Sequence, residues 1–135
     1  MIHMRKADYY EMIRHARACL PEEACGLLAG HSKGENAWVE KVYLLDNADH
    51  SSTHFAISAE EQLKAILDMR GQNLELLGNW HSHPETPSRP SAEDIRLALD
   101  PTASYLILSL AEEEPVLRAF QNWDGRPSRE ELILE

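Results

Sequence analysis

Along the first part of the chain, apolar residues recur at helical spacing. Tyr9, Met12, Ile13, Ala16 and Leu20 fall three or four positions apart, which predicts an amphipathic helix over roughly residues 6–20, ended by Pro21. The run from Cys25 to Gly30 is short and continuously apolar, as expected of a buried strand closing in a glycine turn. From Trp38 to Leu45 the period falls to two: Trp38, Val42 and Leu44 share one face, and Val39, Tyr43 and Leu45 the other. Only Glu40 and Lys41 interrupt, so this strand is covered on both sides. After the polar loop Asp46–Thr53, His54–Ile57 reads as a further short strand.

Ser58 with Glu61 has the spacing of a capping box, and the helix it opens carries Leu63, Ile66 and Leu67 on one face before stopping at Gly71. Leu74–Trp80 is then a strand running directly into His81, Ser82, His83 and Pro84. Three prolines, Pro84, Pro87 and Pro90, make the next segment a stiff extended loop. A third helix is expected from Ser91 to about Leu99, stopped by Pro101, followed by strands Tyr105–Leu110 and Val116–Trp123 and a last edge strand at Glu131–Leu134. This order implies an α/β fold with a mixed, largely antiparallel sheet flanked by helices, in a single domain over residues 1–135.

Composition narrows the function. At 43% hydrophobic and 27% charged residues the chain has the make-up of a folded protein. No apolar run approaches the roughly 20 residues of a bilayer span, and the start of the chain lacks a secretory apolar stretch, so a cytoplasmic location is expected. Thirteen basic residues against 23 acidic ones give a net charge of -10, which argues against nucleic acid as a partner. Arg5, Lys6, Arg14 and Arg17 fall along the first helix and read as a solvated face. Cys19 and Cys25 form no CxxC pair and are expected to be small buried side chains.

The chemistry concentrates between Gly78 and Asp94. His81 and His83 sit at i and i+2 on a strand, so both imidazoles can point at one ion about 2 Å from each nitrogen. Asp94 lies in the first turn of the following helix, which the proline-stiffened loop can fold back over the strand end. Two histidines and a carboxylate make a catalytic-type zinc site with the fourth tetrahedral position left for water. Asp94 also has a simpler reading, because Ser91 and Asp94 are spaced as a capping box in which the carboxylate accepts the Ser91 amide. The histidines eleven residues upstream favour the ligand reading, and Ser91 can both cap the helix and present its hydroxyl to the site.

The string His81-Ser82-His83-Pro84 followed by Ser91-x-x-Asp94 resembles the motif of the JAMM (MPN-plus) zinc metallopeptidases, in their small prokaryotic single-domain form. Pro21-Glu-Glu-Ala-Cys25-Gly-Leu-Leu28 is similar to that family's upstream glutamate segment and places the glutamate at Glu23, with Glu22 an ordinary surface carboxylate. Phe55–Ser58, Leu77-Gly78 and Tyr105–Ser109 extend the similarity over about Leu20 to Ser109. The resemblance implies the MPN fold, which is cytidine-deaminase-like, and one zinc per chain on His81, His83 and Asp94. It further implies that Glu23 serves as general base and acid and that Ser91 helps hold the oxyanion. Asn79-Trp80 departs from the family's usual pair, and this departure is expected at the rim of the site, where it bears on substrate preference.

Zinc lowers the pKa of a bound water from about 15.7 to about 7, which supplies hydroxide at neutral pH. Other HxH enzymes fit poorly: a (β/α)8 barrel takes about 250 residues, and zinc deaminases need a P-C-x-x-C element that is absent. A non-catalytic MPN scaffold is the alternative, and a structural zinc site would need a fourth protein ligand, for which His54 is the nearest candidate. The resemblance implies hydrolysis of peptide or isopeptide bonds after the Gly-Gly tail of a ubiquitin-like or sulfur-carrier protein. Such a tail is expected to pair with an exposed strand beside the metal.

Overall fold

The computed structural model describes residues 1–98, 100–123 and 125–135. Eight strands and three helices follow in the order β1 (Ile2–Met4), α1 (Lys6–Cys19), β2 (Cys25–Lys33), β3 (Asn36–Leu45), α2 (Ala59–Gly71), β4 (Glu75–His83), α3 (Ala92–Leu97), β5 (Ser104–Ser109), β6 (Val116–Trp123), β7 (Arg126–Glu130) and β8 (Leu132–Leu134). The strands form one sheet in the order β7-β6-β5-β4-β2-β3-β1-β8. β2 pairs antiparallel with β3 and β4, and β6 pairs antiparallel with β5 and β7. β4–β5, β1–β3 and β1–β8 are parallel. The mixed, mostly antiparallel sheet expected from the sequence is the one observed.

Helices cover both faces of the sheet. α1 carries Asp8 in its first turn and Arg17 in its last, each favourable to the helix dipole. It buries Met12 and Ala16 in a core with Leu28, Trp80, Leu106 and Leu108. α2 packs Ala65 and Met69 against Leu27, Ala29 and Tyr43 on the opposite face. The inner face of α2 is therefore not the expected one, since Leu63 and Leu67 are more than half exposed. Its cap is also half of the expected box: Ser58 Oγ accepts from Glu61 N at 3.2 Å, but the Glu61 carboxylate accepts from Asp46 N instead.

Two strands were not legible in the pattern. β1 is too short to show a period, although Ile2 and Met4 are buried around His3. β7 is polar throughout and joins the sheet through a turn at Gly125, whose φ of 76° lies in the left-handed region. His54–Ile57, expected as a strand, is outside the sheet. α3 begins where expected and runs to Leu97; its expected end at Leu99 lies outside the described residues.

Trp80 corrects a second expectation. It is fully buried on the α1 side of the sheet rather than at a rim. Its indole crosses over Gly26 to donate to Tyr43 O at 3.1 Å, and a Cβ at Gly26 would collide with both that carbonyl and the indole nitrogen. Trp80→Ala should therefore cost about 3–5 kcal/mol of stability in a denaturant titration. A fully stable variant with altered substrate preference would restore the rim reading.

Candidate metal centre

β4 is the central element of the site, with β2 on one side and β5 on the other. Strand alternation turns His81 and His83 to the α2 side of the sheet and Trp80 and Ser82 to the α1 side. β2 pairs Cys25 with His81 and Gly26 with Trp80. Past the end of β2 the pairing continues through Ser82, whose amide donates to Ala24 O at 2.9 Å and whose hydroxyl accepts from Ala24 N at 2.8 Å. The same register, carried one residue further, sets Glu23 opposite His83. Glu23 is 3% exposed, whereas Glu22 turns outward to an ion pair with His50.

The proline loop is pinned from below. Ser88 Oγ donates to Ile107 O and Ser109 Oγ donates to Thr86 O, both at 2.6 Å. These bonds bring α3 back over the end of β4. Ser91 caps it by accepting from Asp94 N at 3.0 Å, and Asp94 Oδ2 accepts from Ser91 N at 2.9 Å. That same Oδ2 lies 3.1 Å from His81 Nε2 and 3.1 Å from His83 Nε2, and the two nitrogens are 3.1 Å apart. The cap and ligand readings of Asp94 thus do not compete, because one oxygen meets both sets of partners. Phe55 stacks on the His81 ring at 4.7 Å. His54 stands outside the cluster, hydrogen-bonded to Asp49 at 2.9 Å.

Burial and charge set the protonation of these groups. Burial pushes the Glu23 carboxyl up to about 8; nearby His83 opposes the rise, and Asp94 and Glu93 add to it. Burial also holds His81 below the ordinary imidazole value. At His83 burial acts the same way but is outweighed by hydrogen bonds to Asp94 and the Pro87 carbonyl, which raise it. Burial works against ionisation of Asp94 too, yet the bonds from His81 and His83 keep its carboxyl well below the usual range. Glu23 Oε1 and His81 Nδ1 are buried without a hydrogen-bond partner among the described residues.

The donor set fits a zinc ion. Ligands at about 2.0–2.1 Å in a tetrahedron stand about 3.3–3.4 Å apart, close to the 3.1 Å edges of the triangle formed by the two Nε2 atoms and Oδ2. His83 Nδ1 donates to Pro87 O at 2.9 Å, the kind of partner that orients an imidazole whose Nε2 faces a metal. Among the described residues the cluster has three protein donors and no fourth, the pattern of a catalytic rather than a structural site.

Residues 6–123 match the family model for prokaryotic homologs of the JAB domain. This chain belongs to the prokaryotic JAB family. Its JAB domain is 33% identical over 120 residues to the CysO-cysteine peptidase of Mycobacterium tuberculosis, covering 88% of this chain and 81% of that one. It is 40% identical over 73 residues to a desampylase of Pyrococcus furiosus, covering 54% of this chain and 49% of that protein. The solution structure of a Desulfitobacterium hafniense protein superposes with a TM-score of 0.93 at 52% identity, covering 100% of this chain and 93% of the other. The JAB domain is a hydrolase of the peptidase type, as the motif implied.

Sequence reasoning missed Asn47, a buried residue in what read only as a polar loop. Its Nδ2 faces Glu23 O at 3.1 Å, His54 O at 3.0 Å and Ser51 O at 3.3 Å. Its Oδ1 accepts from Asp49 N and Ala56 N. Asn47 thereby ties the backbone of Glu23 to the segment that carries Phe55. The one available signal was the Asn47-x-Asp49 spacing of an Asx turn. Asn47→Ala leaves buried backbone groups unsatisfied and should lower stability by about 1–3 kcal/mol in thermal or denaturant melts; an unchanged melt would mean that the loop closes without it.

Proposed function

We propose that this JAB domain is a zinc-dependent peptidase or isopeptidase that cleaves the bond following the Gly-Gly tail of a ubiquitin-like or sulfur-carrier protein. In this reading it acts as a single cytoplasmic domain with one zinc per chain, held by His81, His83 and Asp94. The observation that carries it is the triangle of donor atoms with the buried Glu23 carboxylate set opposite His83. The relatives named as CysO-cysteine peptidase and desampylase support the class of substrate.

When bound, zinc acts as a Lewis acid that polarises water and the scissile carbonyl. Glu23 accepts the proton of the attacking water on a carboxylate oxygen and later delivers it to the leaving amine nitrogen. Burial suits it to this exchange, because it raises the carboxyl's affinity for the proton it takes up. Ser91 Oγ is held in place by accepting from Asp94 N, and that bond leaves its own proton to donate to the developing oxyanion. Phe55, stacked on His81, screens the ring from water.

Elemental analysis should find one zinc per chain, lost in Asp94→Ala and in His81→Ala; full zinc in the Asp94 variant would reduce that residue to a helix cap. Glu23→Gln should keep zinc and fold while turnover falls about 100- to 10,000-fold. Glu22→Gln should be nearly silent, and the reverse pattern would shift the base by one position.

Ser91 admits a separate test. Ser91→Gly keeps a tolerable cap, at a cost of a few tenths of a kcal/mol, but removes the hydroxyl. Turnover should fall about 100- to 1000-fold with KM little changed. Near wild-type turnover in a stable Ser91→Gly protein would leave the oxyanion to zinc alone.

A further inference from the structure

α3 is an unusual roof. None of its residues Ala92–Leu97 is buried, and Leu97 is 54% exposed. A helix this short does not persist by itself, and its first turn is held by the Ser91–Asp94 box and by the approach of Asp94 to the two histidines. Beyond that anchor Ile95 and Leu97 overhang a floor of Tyr105, Ile107 and Phe120, leaving an open cleft that starts at His81 and Asp94. Most of its lining is apolar, and an apolar cleft continuous with a reaction centre is a place for substrate.

Two further observations say which part of the substrate. Asn79, Tyr105 and Phe120 form one row across β4, β5 and β6, two residues along β4 from His81. The half-buried Asn79 amide lines the cleft and makes no hydrogen bond among the described residues. It offers donors and an acceptor to a peptide backbone, a role the β4 backbone beside it cannot fill because Asn79 is paired with both β2 and β5. Glu23 and Ser91 are not part of the cleft lining. The amine that Glu23 protonates therefore departs on the His83 side, and the cleft on the His81 side is left for the acyl chain.

We propose that this cleft is the acyl-side specificity pocket, taking an apolar side chain from the residue that precedes the Gly-Gly of the tail while Asn79 hydrogen-bonds the tail's backbone. The proposal rests on the peptidase reading above. Its register follows from length: two extended glycines carry the chain about 7 Å from the scissile bond, the same span that separates His81 from the Asn79 row. β4 itself is paired on both sides next to the metal centre, and the free edges of the sheet are β7 and β8, so the tail does not add to β4.

The test uses fluorogenic tail peptides ending X-Gly-Gly before the leaving amine, with X as Leu, Ala or Asp, on the zinc-loaded protein. kcat/KM for Leu should exceed that for Asp by about tenfold or more. Leu97→Asp, at an exposed position, should bring the Leu-to-Ala ratio to about one with melting temperature unchanged. Asn79→Ala should weaken all three peptides alike and keep the ratio. Equal kcat/KM across X, or a ratio that Leu97→Asp leaves intact, overturns the pocket while the peptidase reading stands. If no Gly-Gly peptide is cleaved, the substrate reading fails, and the pocket is judged by calorimetry of the free X-Gly-Gly acids on the Glu23→Gln protein. Tighter binding of the Leu acid, lost in Leu97→Asp, supports the pocket, and equal binding overturns it.

Discussion

The register between β2 and β4 is the constraint from which the site follows. Slipping it by one residue would turn Glu23 to the opposite face from His83 and put Ser82 where an imidazole belongs. Two features fix it. On the α1 side, Trp80 fills the space over Gly26 and bonds to Tyr43 on the third strand. At the end of the pair, Ser82 closes a reciprocal contact with Ala24 using both its amide and its hydroxyl. The serine between the two histidines is thus a register pin facing away from the metal cluster. Its place in the motif is explained by the need to hold the glutamate segment against the histidine strand.

That placement has an electrostatic consequence. A carboxyl buried at Glu23 loses solvation; His83 offsets part of that cost, and the neighbouring Asp94 and Glu93 add to it. Asp94 sits in the same neighbourhood and ionises easily, because two imidazoles and a backbone amide converge on it. Two carboxyls in one site are thereby driven apart in acidity, one fixed as an anion and the other able to exchange a proton near neutrality. Both carboxyls are buried, and hydrogen-bond supply separates them: Asp94 has partners on Oδ2, and Glu23 Oε1 has none among the described residues.

Much of this was legible in the sequence where a local rule decides the outcome. Alternation on a strand put His81 and His83 together, and the Ser91–Asp94 spacing gave the helix start. Glu23 lies far from both in sequence and meets His83 only through strand pairing, which spacing does not encode; the family resemblance supplied it. Trp80 is not at the rim because strand parity with His81 turns it to the opposite face, and nearness in sequence to the site does not carry a side chain into it. His54–Ile57 looked like a strand, but Asn47 takes up the His54 carbonyl and the Ala56 amide, so the backbone has no need of a sheet partner. β7 escaped because an exposed polar edge needs no apolar period.

α3 contributes a ligand to the cluster although it packs none of its residues into a core. α3 buries none of its residues, so its position is set by what holds its first turn. Asp94 Oδ2 is a shared point of that hold, since it faces His81, His83 and the Ser91 amide at once. Asp94 thereby links the placement of Ile95 and Leu97 beside the cleft to the metal centre. A helix anchored by its own hydrophobic face would have filled the space it covers. With its first turn anchored by the Ser91–Asp94 box, α3 can stand beside Tyr105 and Phe120 and keep an apolar cleft open next to the metal centre, while the core on the other side of the sheet is packed by α1.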